Sequence, residues 1–343
     1  MRKTRWSWYL LLSSIGVVSA EGLSWSTPVI FPVGVFVLLI YGLHYVLIVD
    51  YLAARRALTL RGLAVGGLVV GITTESLLTK VIWNPPWDEG DVTRILGLGL
   101  FEVGFIVMVW HVWLSMAVPF ALSLTYFGQT GIVSERQARW LLRALPLTMW
   151  MGASIQSPDL IPLALIGIPL NTLGILLAAR LYHRYARRQP LTDITQMTLT
   201  RRERRVMWGL VILLYALITP TRADAFPSVG PFVLGMALVA GSFWLLRAVA
   251  RADSGRTPLP NTLRYTERGF VRYAGRFGLA SIALVIAALV LKPVSAGLML
   301  VAILLSVPVG DGYLARLAWR LRRGQQPYEH RLAPSVVSAA EEG

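Results

Sequence analysis

The sequence predicts an all-α, polytopic transmembrane helical bundle of about ten spans, with N- and C-termini cytoplasmic. Three observations predict it. Of the 343 residues 55% are hydrophobic and 15% are charged, against about 25% charged in a soluble domain. The apolar residues come in long runs, as a hydrocarbon layer requires. The basic residues fall between those runs in alternation. With the N-terminus inside, all of the 33 Lys and Arg but Lys80, Arg94, Arg222 and Lys292 lie in segments on that same side.

Spans are expected at roughly 7–23, 28–50, 61–83, 93–124, 139–156, 160–181, 206–220, 228–248, 277–292 and 294–310. Arg2, Lys3 and Arg5 precede the first, which ends Val18-Ser19-Ala20. That pattern also suits a secretory signal, whose cleavage would leave nine spans. Trp83, Pro85, Pro86 and Trp87 mark an interfacial turn after the third span. Ser134 with Gln137, and Thr200 with Glu203, have capping-box spacing before the fifth and seventh spans. Ser157-Pro158-Asp159 breaks the fifth span from the sixth, and Lys292-Pro293 makes a hairpin between the last two. Leu314, Leu317 and Leu321 alternate with Arg316, Arg320, Arg322 and Arg323, which reads as an amphipathic helix on the inner surface. Residues after 326 read as a disordered tail.

The chain divides into a four-span part, 1–130, that carries the buried ionisable residues, a six-span part, 131–312, and the interfacial helix and tail, 313–343. Cysteine is absent, which excludes disulfides, thiolate metal sites and cysteine nucleophiles. The net charge of +15 sits between apolar runs and not on a soluble domain. Its expected counterions are anionic lipid headgroups, with no role for nucleic acid. The expected location is the inner (plasma) membrane.

An ionisable side chain inside a span is costly and asks for a reason. Glu21, His44, Asp50, Glu75, Lys80, Glu102 and His111 all fall in the first four spans. Glu75 and Glu102 lie at a similar depth in the outer half, with His44 and His111 deeper. Glu21 and Asp50 read as interfacial carboxylates. Glu75 shares a helical face with Gly67 and Gly71, a stripe that lets another helix approach closely. His111 shares its face with Gly104 and Ser115, and His44 with Tyr41. At about 100° per residue, Glu102 and His111 point to nearly opposite sides of one α-helix. Lys80 is expected to pair with Glu75 or Glu102, or to reach outward.

Thr74-Glu75-Ser76-Leu77-Leu78-Thr79-Lys80, Asn84-Pro85-Pro86-Trp87 and Trp110-His111 through Ser115 to Pro119 form a series in adjacent spans. The series resembles a group of uncharacterised bacterial polytopic membrane proteins. A fainter resemblance is to CAAX-protease-like membrane proteins, which carry Glu-Glu-x-x-x-Arg on one span and Phe-x-x-x-His on the next. Here Thr74 replaces the first Glu, Lys80 is one residue out of register, and Val107 stands in place of Phe. His183 and His330 lie in cytoplasmic segments, so the later histidine motif is missing. The resemblance implies roles for Glu75 and His111 alone.

The first functional reading is proton- or cation-coupled transport of a small solute. Glu75 and Glu102 would be outer acceptors and His44 and His111 an inner relay, with Lys80, Tyr41 and Ser115 along the path. The second is a membrane-embedded enzyme, hydrolase-like or lipid-modifying, with Glu75 as general base and His111 steadying an oxyanion or a proton. The third is a non-catalytic assembly protein whose polar residues join helices. No cofactor is expected. A metal held by Glu75, Glu102 and a His has no supporting ligand spacing.

Overall fold

In the computed structural model, the residues described are 1–24, 33–84, 94–127, 130–155, 161–255, 259–260 and 267–323. Pro85, Pro86, Trp87, the Ser157-Pro158-Asp159 break and the tail after 326 lie outside them. The helices are α1 (Arg2–Ser24), α2 (Val33–Ala53), α3 (Leu60–Leu77), a π-helix (Glu102–Ala117) running into α4 (Val118–Phe127), α5 (Glu135–Ala144), α6 (Leu147–Ile155), α7 (Ile161–Ala186), α8 (Arg201–Ile218), α9 (Val229–Ala252), α10 (Glu267–Val290) and α11 (Lys292–Arg322). Four two-residue strands pair as two antiparallel ribbons, 94–95 with 98–99 and 130–131 with 259–260.

Eight helices among the described residues are long and apolar enough to cross a membrane. The two remaining expected spans differ for physical reasons. Ser7, Ser13, Ser14, Ser19 and Glu21 dilute the apolar character of α1 beyond its basic start, and the helix lies in the interior, packed on α2, α4, α6 and α7. Trp8, Leu11, Leu12 and Ala20 are fully buried there. The expected fifth span is broken at Leu145–Pro146 into α5 and α6, of 10 and 9 residues. At about 1.5 Å per residue neither crosses about 30 Å of hydrocarbon alone. The stretch 313–322, expected as a separate helix, continues α11 without interruption. Leu314 and Leu317 are buried against the bundle, and Tyr313 meets Trp113 edge-on.

Helix starts follow local chemistry. The Ser134–Gln137 and Thr200–Glu203 capping boxes are both formed, and the Thr59 hydroxyl accepts the Gly62 N–H at the start of α3. Outward faces of α8 to α11 carry Ile212, Leu217, Leu279, Val290 and Leu305, each more than half exposed. Such continuous exposed apolar surface is stable against lipid and not against water.

Ion pairs tie successive helix ends together at one face of the bundle. Arg5 Nη2 of α1 donates to both carboxylate oxygens of Glu203 of α8 at 2.7 and 2.6 Å. Asp50 of α2 holds Arg204 at 2.5 Å and accepts the Leu199 N–H at 2.8 Å. Asp253, just past α9, pairs with Arg61 of α3 and accepts the Thr59 hydroxyl at 2.6 Å. At the opposite face, Lys80 donates to the Thr219 carbonyl, and Trp83 fills the space left by the missing side chain of Gly235. The α1 start, α2 end, α3 start, α8 start and α9 end thus share one face.

Candidate functional site

The site forms where α3 and the π-helix touch. A side chain on Gly67 would lie 2.5 Å from the His111 carbonyl, and one on Gly71 would lie 2.6 Å from the His111 Cβ. The expected glycine stripe therefore has a definite partner: it lets the π-helix lie against α3 at the level of His111. One turn beyond Gly71, Glu75 reaches the imidazole. His111 Nε2 and Glu75 Oε1 are 2.8 Å apart, with 7% and 9% of the two side chains exposed. The Thr79 hydroxyl donates to Glu75 Oε2 at 2.5 Å. Both carboxylate oxygens are therefore occupied.

The partners assign the tautomers. His111 donates its Nε2–H to the Glu75 carboxylate, and its second ring nitrogen is Nδ1. That Nδ1 is buried with no hydrogen-bond partner among the described residues. The Tyr41 ring stacks on the imidazole, 6.3 Å between centroids and 27° between planes. The Tyr41 hydroxyl donates to Glu21 Oε1 at 2.7 Å and lies beside the Ser115 side chain. Ser115 also offers its carbonyl to the Tyr45 hydroxyl. On α2, His44 donates Nδ1–H to the Ile40 carbonyl at 2.7 Å, so its Nε2 accepts the Tyr215 hydroxyl at 3.1 Å. His44 lies within electrostatic reach of His111, and Tyr215 within that of Glu75. The imidazoles of His44 and His111, the Glu75 carboxylate and the phenols of Tyr41, Tyr45 and Tyr215 thus lie in one region.

Glu75, His111, Tyr41, Ser115 and His44 gather here. Lys80 does not. It is fully buried, in left-handed backbone (φ 60), with its ammonium on the Thr219 carbonyl and 4.5 Å above the Phe226 ring. Glu102 is 1% exposed at the start of the π-helix, and its carboxyl occupies the space left by the missing side chain of Gly99. The π-helix corrects the expected facing of Glu102 and His111. With i→i+5 bonding and about 4.4 residues per turn, nine residues make roughly two full turns. Both residues consequently lie on one side, and both are buried.

Sequence reasoning takes Glu21 as interfacial and passes over Thr79, Tyr215 and Asp311. Thr79 is readable as one helical turn after Glu75. Tyr215 gives no signal, because its partner is 171 positions away. Asp311 lies inside α11 against Gly104, with a buried Oδ1 that has no partner among the described residues. An acid flanked by Gly310 and Gly312 is its signal, hidden when the last span is ended at 310. Among the described residues, no three His, Asp or Glu are grouped to hold a metal ion.

The sequence pattern of a family described as "Uncharacterized membrane protein family" matches residues 10–323. An "Uncharacterized protein" of Archaeoglobus fulgidus is 29% identical over 126 residues, which cover 34% of this chain and 37% of that relative. The chain therefore spans less than two-fifths of the relative's length. No solved structure matches.

Proposed function

From the premise that the chain belongs to this uncharacterized membrane protein family, we propose that it binds and releases a proton at the Glu75–His111 pair, coupled to movement of a small solute across the plasma membrane. The observation that carries this reading is the 2.8 Å hydrogen bond between two titratable side chains buried at a helix–helix contact. A carboxylate beside an imidazole favours the imidazolium over the neutral ring, so the pair can hold a proton. Tyr41 with Glu21 on one side, and His44 with Tyr215 on the other, supply hydroxyl and ring donors through which a proton is passed on. Glu102 is a further buried carboxylate on the His111 side of the π-helix.

The test is proton flux in liposomes that contain the full chain, read with an entrapped pH dye under an imposed gradient in the presence of a panel of small solutes. Glu75→Gln and His111→Ala are each expected to reduce solute-dependent flux at least tenfold. Wild-type flux in both variants, with melting behaviour preserved, would falsify the reading.

One observation favours a second reading, a membrane-embedded enzyme. A histidine oriented by a carboxylate, with its other ring nitrogen unpaired, is the arrangement of a general base. In that case His111 Nδ1 takes the proton, and Glu75 fixes the tautomer and does not itself attack water. The two readings differ in the fate of the solute once the proton is bound. Transport returns the solute unchanged, whereas catalysis yields a product detectable by mass spectrometry of the liposome contents.

A further inference from the structure

A groove of about 470 Å³ opens between α1 and α7 at the face where the ion pairs gather, far along α1 from the Glu75–His111 pair. Its lining changes character with depth. Arg2 and Lys3 stand at the mouth, Trp6 and Ser7 one turn further in, and Leu10 a turn beyond, facing Leu181 and Tyr185 of α7. The spacings 3, 6, 7, 10 on α1 and 181, 185 on α7 each draw one stripe along a helix. From Arg2 to Leu10 the stripe runs about 12 Å into the bundle at about 1.5 Å per residue. It passes from cationic through interfacial aromatic to aliphatic.

The charges are unequally committed. Glu203 is already held by Arg5 and takes a further contact from Arg2 at 3.1 Å. Lys3 makes no ion pair among the described residues, and its ammonium lies 5.9 Å from the Tyr185 ring centroid. The Tyr185 hydroxyl makes no hydrogen bond among the described residues. Lys3 and Tyr185 together therefore offer an anion a cation and an O–H donor at the level of the interfacial Trp6. Below them Leu10 is 38% exposed and continues the groove as an apolar wall.

We propose that this groove binds one anionic phospholipid, its phosphate at Lys3, Arg2 and Tyr185 and an acyl chain along Leu10 and Leu181. A soluble phosphate would use the mouth and leave the apolar half empty. A zwitterionic lipid would bring its own cation to the lysine. An anionic lipid satisfies both halves, which is the charge and polarity match that selects it.

The test uses the full chain in detergent, stripped of lipid and titrated with phosphatidylglycerol or phosphatidylcholine, with bound lipid counted by native mass spectrometry. Phosphatidylglycerol is expected to bind more tightly than phosphatidylcholine, and Lys3→Gln to weaken it about fivefold, the effect of one basic charge at a membrane surface. Leu181→Asn is expected to weaken it as well. Arg251→Gln, at an exposed arginine in the last turn of α9 outside the groove, is expected to change nothing, and glycerol phosphate to displace nothing. Equal binding of the two lipids overturns the proposal, as does a Lys3→Gln protein that binds like wild type. Equal losses from Lys3→Gln and Arg251→Gln show a diffuse charge effect and no site. Displacement by glycerol phosphate shows a headgroup anion site without a lipid seat.

Discussion

His111 Nε2 is committed to Glu75, so the chemistry of this residue resides in its Nδ1. Removing one partner of a buried hydrogen bond costs about 1–3 kcal/mol, because the other is left without compensation. Glu75→Ala is therefore expected to lower the melting temperature in detergent sharply. Glu75→Gln keeps an acceptor for His111, and its amide N–H donates to the Thr79 hydroxyl, which turns to accept it; the variant is expected to melt close to wild type, while flux is lost in both variants. Equal melting of the Ala and Gln variants would show that the pair does not carry stability. Glu75 was legible in the sequence because a carboxylate nine residues inside an apolar run is expensive. The resemblance singled out His111 beside it, but the contact between the two was not legible, because it depends on which helix lies against Gly71.

Gly71 sets how the helices meet. An added Cβ would come within 2.6 Å of the His111 Cβ and 2.9 Å of its Cγ. Overpacking of this kind costs about 1–3 kcal/mol. Gly71→Ala is expected to destabilise by that amount and to separate Glu75 from His111. Gly174→Ala in α7, where nothing lies within 4 Å, is the matched control. It is expected to melt at or slightly above the wild-type temperature, because alanine favours helix by about 1 kcal/mol. The ion pairs at the helix ends separate in the same way. Glu203→Gln weakens the contact of Arg5 Nη2 with the two carboxylate oxygens, and a loss of about 1–3 kcal/mol is expected. Arg2 is 78% exposed, and Arg2→Gln is expected to cost about 0–1 kcal/mol. Thermal unfolding in one detergent compares all four variants. The π-helix itself was not readable from periodicity, since a span apolar on nearly all sides shows no phase from which the turn could be measured.

The whole bundle arranges its helix ends as alternate crossing requires. Arg5–Glu203, Asp50–Arg204 and Arg61–Asp253 join ends that should share a side, and Lys80–Thr219 joins ends that should share the other. Because the chain has no cysteine, single-cysteine variants report each side without background. Arg188→Cys and Arg251→Cys are expected to react with a membrane-impermeant maleimide only in inverted vesicles, and Lys292→Cys only in intact cells. Labelling of all three from one side would overturn the alternation. Contacts also cross the division drawn at residue 130: α1 packs on α7, and the π-helix packs on α11.

The amino-acid order alone determined that this is a helical membrane protein, where its apolar helices lie, and that Glu75 and His111 are costly residues. Those properties depend on local runs of side chains against a hydrocarbon solvent, and every run is contiguous in the chain. Tertiary structure decided that Glu75 meets His111, that His44 meets Tyr215, that α1 is interior, and that the expected fifth span is two short helices. Each of these depends on which faces approach across large sequence separations, and that is fixed by glycine contacts, a π-helical turn and paired charges brought together only on folding.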